Sequence, residues 1–376
     1  MPVTGKGIMT KKKIVIIGFG GIAHAWFRAI KEHPDYELIG IVDIDTEMLE
    51  HVKEVAGLGE GMGYTSIEDA VRYGEKPDVA VISTPIPTHH SIVRETLALG
   101  INTICEKNMA STIQMGRQML QCALDHPELV TAVDTQNRFQ PNFWAARQYL
   151  AQEDPSIGKL GVIKWTDNGY RGETRWGWRR HLAEIYAEDQ CPHWYDLLRY
   201  ITQMDIVQVK ADCFMPRYST WHGSSTVMAN LALAKPEDYH HRHNWVWCQL
   251  FGDWQLGGPP SSNFQFFGEK GQFTIESMGL SLKLYKNPAN RTVDIEEDAY
   301  LPADAGPVRD QLYTGQTAIL EQVSKGIDSG AQVQPDTCFK EAFKSFAVTQ
   351  AAIESSHTGQ AVWVPKYWED MPCYKE

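Results

Sequence analysis

A short β-branched run, Ile14-Val15-Ile16-Ile17, breaks directly into Gly18-Phe19-Gly20-Gly21-Ile22-Ala23, and Ala25, Trp26, Ala29 and Ile30 then recur at helical spacing. An unbroken apolar strand has both faces covered, which is the condition of a parallel strand inside a layered sheet. The helix follows with no linker, so the glycines must make the turn. Glycines so placed let the backbone approach a pyrophosphate closely, and the helix start then offers N–H groups and the positive end of its dipole. Gly18, Phe19, Gly20, Gly21 and Ile22 are therefore expected to hold a dinucleotide. Asp43 ends the next apolar run, residues 38–42. It lies about 20 residues beyond the glycines, where a carboxylate can hydrogen-bond the adenosine ribose hydroxyls. Such a carboxylate repels a 2′-phosphate, so NAD is favoured over NADP. The rival reading of the same turn is a flavodoxin-like sheet with a surface aspartate.

Strand and helix signals alternate through this half of the chain. Residues 79–82, 102–105 and 129–133 read as further strands, and residues 47–56, 91–99 and 114–124 as helices. That order predicts an α/β domain on a doubly wound parallel sheet, assigned to residues 1–137. The texture changes after Arg138. Tryptophan becomes frequent, and strand-like alternation appears at residues 161–168, 207–213, 244–252, 262–267 and 272–277, interrupted by a helix at 194–202. Residues 138–376 are expected to form a second, α+β domain with a large, mostly antiparallel open sheet. Helices at 316–325 and 339–355 complete it, with the option that a C-terminal segment packs back on the first domain. A chain of 376 residues is too long for one ordinary core, which agrees with two domains.

The bulk chemistry narrows the partners. Net charge is −12, and no basic run follows Lys11-Lys12-Lys13, so nucleic acid is not expected. Seven cysteines are widely spaced without a CxxC, which predicts reduced thiols and neither a disulfide framework nor a zinc site. The basic triplet before the apolar run imitates a secretion signal, but Gly18, Gly20, Gly21, His24 and Arg28 interrupt it. No apolar stretch is long enough to span a bilayer, and the cytoplasm is the expected location. The run Tyr239-His240-His241-Arg242-His243 has no carboxylate or thiol beside it in sequence, so no metal is expected there.

Five segments lie in the order found in one family. Ser83-Thr84-Pro85-Ile86-Pro87-Thr88-His89 resembles a strand-end TP-x-x-x-H, and Cys105-Glu106-Lys107-Asn108 resembles an EKP motif. Arg138-Phe139-Gln140-Pro141 resembles R-F-x-P, Asp189-x-x-x-His193-x-x-Asp196 resembles D-x-G-x-H-x-x-D, and the stretch from Gly326 to Pro365 resembles the C-terminal segment. The set covers almost the whole chain and resembles the Gfo/Idh/MocA oxidoreductases. The resemblance implies an N-terminal Rossmann domain, and a C-terminal domain whose open sheet joins copies into a homo-oligomer. It places Thr84, Pro85, His89, Glu106 and Lys107 at the cofactor edge. Two positions depart from the pattern. Asn108 stands where the family has proline, and Cys191-Pro192 stands where a glycine usually precedes the histidine, so the turn into that helix must be built differently.

Oxidising a secondary alcohol needs a base for the hydroxyl proton. Lys107 ends an expected strand at the carboxyl edge of the sheet, where ligands bind in such folds, and by resemblance it handles the reacting oxygen. His193 is a second candidate acid/base; its rival role is a helix cap beside Pro192. Asp189, four residues earlier, can orient the imidazole or hold a substrate hydroxyl, on a shared face if one helix covers both. Arg171, Arg175, Trp176, Trp178 and Arg180, with Arg138 as a weaker member, read equally well as a substrate wall for an anionic sugar or as a charged loop over buried tryptophans. Three functions follow: an NAD-dependent dehydrogenase of a sugar, sugar acid or polyol; an NAD-dependent glycosidase that oxidises its substrate transiently, for instance a sulfoquinovoside; and a nucleotide sensor without catalysis.

Overall fold

The computed structural model describes residues 11–56, 61–152, 157–171, 177–276, 281–286, 294–297 and 315–375. The chain divides into two compact units, Met1–Gln136 with Thr314–Phe343, and Asn137–Tyr313 with Lys344–Glu376.

The first unit alternates β1 (Lys12–Ile17), α1 (Ala23–Glu32), β2 (Tyr36–Val42), α2 (Thr46–Ala56), β3 (Gly63–Tyr64), α3 (Ile67–Tyr73), β4 (Val79–Ile82), α4 (Ile86–Ala98), β5 (Asn102–Cys105), α5 (Ile113–Asp125) and β6 (Thr131–Val133). Its six strands are all parallel, in the order β3-β2-β1-β4-β5-β6. Order therefore reverses between β1 and β4, the crevice where such sheets bind ligands. The β-branched runs explain the centre, since Ile14, Ile16 and all four residues of β4 are fully buried. The helix expected at residues 91–99 starts earlier, at Ile86, because Pro87 suits a first turn whose N–H would lack a partner anyway.

The second unit holds α6 (Pro141–Leu150), β7 (Leu160–Asn168), α7 (Cys191–Thr202), β8 (Asp205–Phe214), β9 (Thr226–Ala234), β10 (Val246–Asp253), β11 (Ser261–Gly268), β12 (Gly271–Glu276), β13 (Ser281–Lys286) and β14 (Asp294–Glu297). Beyond them come α8 (Gly315–Asp328), which belongs to the first unit, then α9 (Phe339–Thr358) and β15 (Val362–Trp363). Nine strands form one sheet, β14-β13-β12-β11-β7-β10-β9-β8-β15, antiparallel throughout except where β7 meets β10. The tryptophans build its core. Trp165 stacks on Phe264 at 3.9 Å, and Trp194 leans on the same phenylalanine at 5.4 Å. β9 was not expected, because its Asn-Leu-Ala-Leu-Ala tail lacks the branched and aromatic residues that favour strands.

α8 packs on the first unit through long-range contacts. The Tyr36 hydroxyl donates to Leu320 O at 2.8 Å, and Lys12 meets Asp328 at 2.8 Å and Ser324 at 3.0 Å. Among the described residues no helix is long and apolar enough to cross a membrane.

Candidate active site

The glycine turn does what its composition requires, position by position. Gly18 takes φ +82°, and a Cβ there would meet Thr84 Cγ2 at 2.6 Å, so only glycine fits between β1 and the end of β4. Ser83 ties the same corner by donating to Gly18 O at 2.6 Å. Gly20 and Gly21 are different: a Cβ at either would meet no protein atom within 4 Å. Their missing side chains leave the loop surface open for something other than this chain. α1 begins directly behind, and no side chain caps its start at Ile22. Asp43, at the end of β2, accepts from Phe19 N at 2.8 Å and from Asp45 N at 3.0 Å, and its half-buried carboxylate borders the turn. Phe19 itself is buried edge-on against His24 at 5.1 Å and Phe27 at 6.1 Å, so it contributes backbone to the loop face. An open glycine cradle, an uncapped helix start and a carboxylate beyond β2 fit the pyrophosphate and ribose of NAD.

The ends of β4 and β5 carry the next group. His89 is fully buried, with Nδ1 2.9 Å from Asn108 O and Nε2 2.9 Å from Thr84 O. It therefore stitches the two strand-end loops together through their backbones. Burial lowers its pKa, while the two carbonyls and Glu106 pull the other way. Thr84 accepts from the Thr88 hydroxyl at 2.7 Å, and Pro85 stands at the N-cap of α4. Glu106 and Lys107 follow β5 directly, and the Lys107-Asn108 peptide is cis. Asn108 Oδ1 accepts from Met109 N at 3.0 Å, so this side chain folds back on its own turn.

Behind Glu106 lies a buried constellation that the sequence reading did not single out. Trp26 Nε1 donates to Glu106 Oε1 at 2.9 Å, and Gln316 Nε2, on α8, donates to Asp134 Oδ2 at 3.1 Å. Asp134 follows β6, is fully buried, and sits beside Glu106, its backbone N–H donating to Cys105 O at 2.8 Å. Burial raises its pKa well above the usual carboxylate range, the Glu106 charge and hydrogen bond add to that, and Gln316 and Lys107 oppose it. The available signal was an acidic residue just past an apolar strand, at the same carboxyl edge as Lys107.

The second unit builds its candidates around an unusual turn. Tyr186–Gln190 is π-helical and runs straight into α7, where Cys191 and Pro192 open the α-helical turns. This is how the chain enters the helix without the glycine that the family pattern places there. Asp189 lies in the π turn and His193 in the α turn, so the α spacing expected between them does not apply. Asp189 Oδ2 accepts from Arg179 Nε at 2.7 Å, and that guanidinium lies 4.8 Å from the Trp178 ring. Below the turn, Trp194 Nε1 donates to the Tyr186 hydroxyl at 3.2 Å, which donates to Asp167 Oδ2 at 2.7 Å.

The expected substrate wall divides. Arg171 lies 5.1 Å over Trp254, which in turn packs against Trp221 at 5.9 Å. Arg180 is exposed, with Nε 3.4 Å from His181 Nε2. Arg175 and Trp176 lie outside the described residues. Arg138 is corrected: it is 4% exposed, and its fork grips Asp196 through Nε to Oδ2 at 2.6 Å and Nη2 to Oδ1 at 2.5 Å. A buried bidentate pair of this kind makes it a framework residue, and the substrate role expected of it gives way. In the histidine-rich loop, His240 stacks on Trp363 at 5.6 Å and Arg242 lies 5.5 Å from the Trp247 ring, which is ordinary packing for such residues.

Residues 12–133 match the model of an oxidoreductase family with an NAD-binding Rossmann fold, Gfo/Idh/MocA. Over 367 residues the chain is 21% identical to the uncharacterized protein y4oX of Sinorhizobium fredii, covering 94% of this chain and 96% of that one. It is 24% identical over 153 residues to an inositol 2-dehydrogenase of Rubrobacter xylanophilus, covering 39% of this chain and 41% of that enzyme's length. Levoglucosan dehydrogenase, solved with NADH and L-sorbose, superposes with a TM-score of 0.80 at 18% identity over 95% of this chain and 100% of the other. That likeness shows a shared fold.

Proposed function

We propose, from the premise that this chain belongs to the Gfo/Idh/MocA oxidoreductases through its NAD-binding Rossmann domain, that it oxidises a secondary hydroxyl of a sugar, sugar acid or polyol. The observation that carries this reading is the position of Lys107, next to Glu106 beyond β5, on the carboxyl edge of the NAD-binding sheet. NAD, when bound, supplies the acceptor for the substrate's hydride. The backbone of Gly18, Phe19, Gly20, Gly21 and Ile22 would hold its phosphates and Asp43 its adenosine ribose. Thr84, Pro85 and His89 keep the neighbouring strand end in shape.

Lys107 Nζ, when it carries no extra proton, takes the hydroxyl proton as the alcohol is oxidised, becoming the ammonium, and returns it in the reverse direction. In the second unit, His193 would act as a second acid/base and Asp189 would orient it or hold a substrate hydroxyl, with Arg179 fixing the Asp189 carboxylate. An anionic group on the sugar would suit the segment that carries Arg171, Arg179 and Arg180. Two similar proteins are named for reactions on an inositol and on levoglucosan, which supports a polyhydroxylated substrate. The reading includes a homo-oligomer formed on the outer face of the nine-stranded sheet, where Val162 and Met228 are 46% and 50% exposed. Light scattering tests that part, and a monomer would refute it.

The deciding assay incubates the protein and NAD with free sugars, sugar acids, polyols and aryl glycosides. NADH absorbance and released aglycone are followed together. Net NADH from a free polyol or sugar is the expected result. Aglycone without net NADH would replace the dehydrogenase with a redox-recycling glycosidase. Lys107→Ala should lower turnover about 10²- to 10⁴-fold, the range of a lost general acid/base. Full activity in that variant would remove Lys107 from the chemistry.

A further inference from the structure

We propose that Asp134 is a positioning residue for Lys107: its carboxyl O–H donates to Glu106, so that the two carboxyls present a single negative charge beside the lysine. The inference rests on the reading of Lys107 given above. Its geometric basis is independent of that reading and lies wholly in the first unit. Glu106 adjoins Lys107 in the chain, and the Asp134 backbone N–H donates to Cys105 O at 2.8 Å, which fixes the start of the β6 loop against the end of β5. Both carboxyls are buried, at 6% and 0% exposure, so neither can place a charge in water.

Two full charges side by side there would have to be held by the surrounding donors. The donors that α1, α8 and the β6 loop supply are neutral. Trp26, from α1, gives one N–H to Glu106, and Gln316, from α8, gives one to Asp134. The Gln136 amide, turned to donate, reaches Asp134 O at 3.0 Å and Oδ1 at 3.2 Å. Lys107 is a cation that acts on Asp134. One proton between the two carboxyls resolves the conflict, and burial together with the neighbouring Glu106 pushes Asp134 towards its protonated form.

The arrangement has a consequence for Lys107. With the shared proton in place, one negative charge balances one ammonium. Losing the proton would add a second charge and bind the ammonium harder. Losing the hydrogen bond would free the Glu106 carboxylate to turn away from its place beside Lys107. Asp134 therefore acts through Glu106 and never touches the reacting atoms.

Infrared spectroscopy of the protein without cofactor tests the shared proton directly. At neutral pH the wild type is expected to show one buried protonated carboxyl band more than Asp134→Asn. A wild-type-minus-variant difference spectrum without that band overturns the proposal. The positioning role is read as the acylation rate of Lys107 at one fixed pH, by mass spectrometry of its peptide. Asp134→Asn, whose amide can still donate to Glu106, should keep that rate. Asp134→Leu should change it about tenfold, the scale of one lost hydrogen bond to a charged group. Equal rates in Asp134→Leu and the wild type, with NAD affinity intact as the check on folding, overturn it. None of these measurements needs a substrate. Failure of the proposed dehydrogenase would appear in the NADH assay alone, and failure of the carboxyl pair in the infrared band.

Discussion

Two buried aspartates in this molecule live under opposite electrostatics. Asp134, at the carboxyl edge of the parallel sheet, faces another carboxyl. Asp205, at the start of β8, is gripped by cations. Arg199 donates through Nε and Nη2 to its Oδ1 at 3.0 and 2.9 Å, Lys344 reaches Oδ2 at 2.7 Å, and the Tyr239 hydroxyl donates to that same oxygen. Burial alone would raise the pKa of Asp205, but Arg199, Lys344 and Tyr239 overcome it and hold it down to about 2. Depth is nearly the same in the two places; the sign of the neighbour decides the outcome. Where charge is compensated, the group ties α7, β8 and α9 into one framework. Where a second carboxyl stands beside it, at a sheet edge suited to ligands, the residue is a candidate for function.

Breaking the compensated site should give the largest effect. Arg199→Met removes two donors from Asp205, and a third from Ser345, whose hydroxyl lies 2.8 Å from Nη1. The expected loss is about 3–5 kcal/mol, the cost of leaving a buried charge without its partner. Denaturant unfolding measures it. A loss below about 1 kcal/mol, the scale of an exposed pair, would mean that Lys344 alone compensates Asp205.

The acid and alkaline limbs of stability should separate the two aspartates. Asp205 has a lowered pKa in the folded chain, so its contribution is present above the ordinary carboxylate value and is lost as pH falls from about 4 towards the folded value of about 2. That difference amounts to about 2 kcal/mol. Asp134 has the opposite sign. Its pKa is raised, so its contribution is complete below the ordinary carboxylate value and declines as pH rises. Asp205→Asn should flatten the acid limb of a stability-against-pH curve, and Asp134→Asn the alkaline limb. Flattening of the same limb by both variants would end the contrast.

The sequence displays one of these regions better than the other, for a physical reason. The strand from Lys12 to Ile17, the glycine turn and Asp43 lie close together along the chain, and each is forced by local rules of covering, turning and capping. The partners that decide the aspartates lie far apart. Gln316 is 182 residues from Asp134, and Lys344 is 139 from Asp205. Arg138 shows the limit clearly: beside an expected site its charge reads as a ligand contact, until Asp196, 58 residues on, accounts for it. The π turn at Tyr186–Gln190 was equally hidden, since no periodicity in five residues separates it from an α turn. The nine-stranded sheet was legible as antiparallel from alternation, but β9 was not, because its small and unbranched residues carry little strand preference.

The smallest stability effects fall in the glycine turn, where they extend the same contrast from charge to shape. Gly18 is occupied by its own fold. A Cβ would strike Thr84, and an alanine would also have to hold φ +82°. Gly18→Ala should therefore cost about 1–2 kcal/mol from the left-handed backbone alone, with the clash added. Gly20 is empty on the protein side, so Gly20→Ala should leave the melting temperature where it is. Its methyl group would instead stand in the space that the pyrophosphate needs, and NAD binding should weaken about tenfold, or about 1.4 kcal/mol. Calorimetric titration with NAD, paired with thermal unfolding of the unloaded variants, reads both quantities. If Gly20→Ala lost stability and kept its NAD affinity, the open cradle would be a structural feature, and the dinucleotide would have to lie elsewhere on the sheet edge.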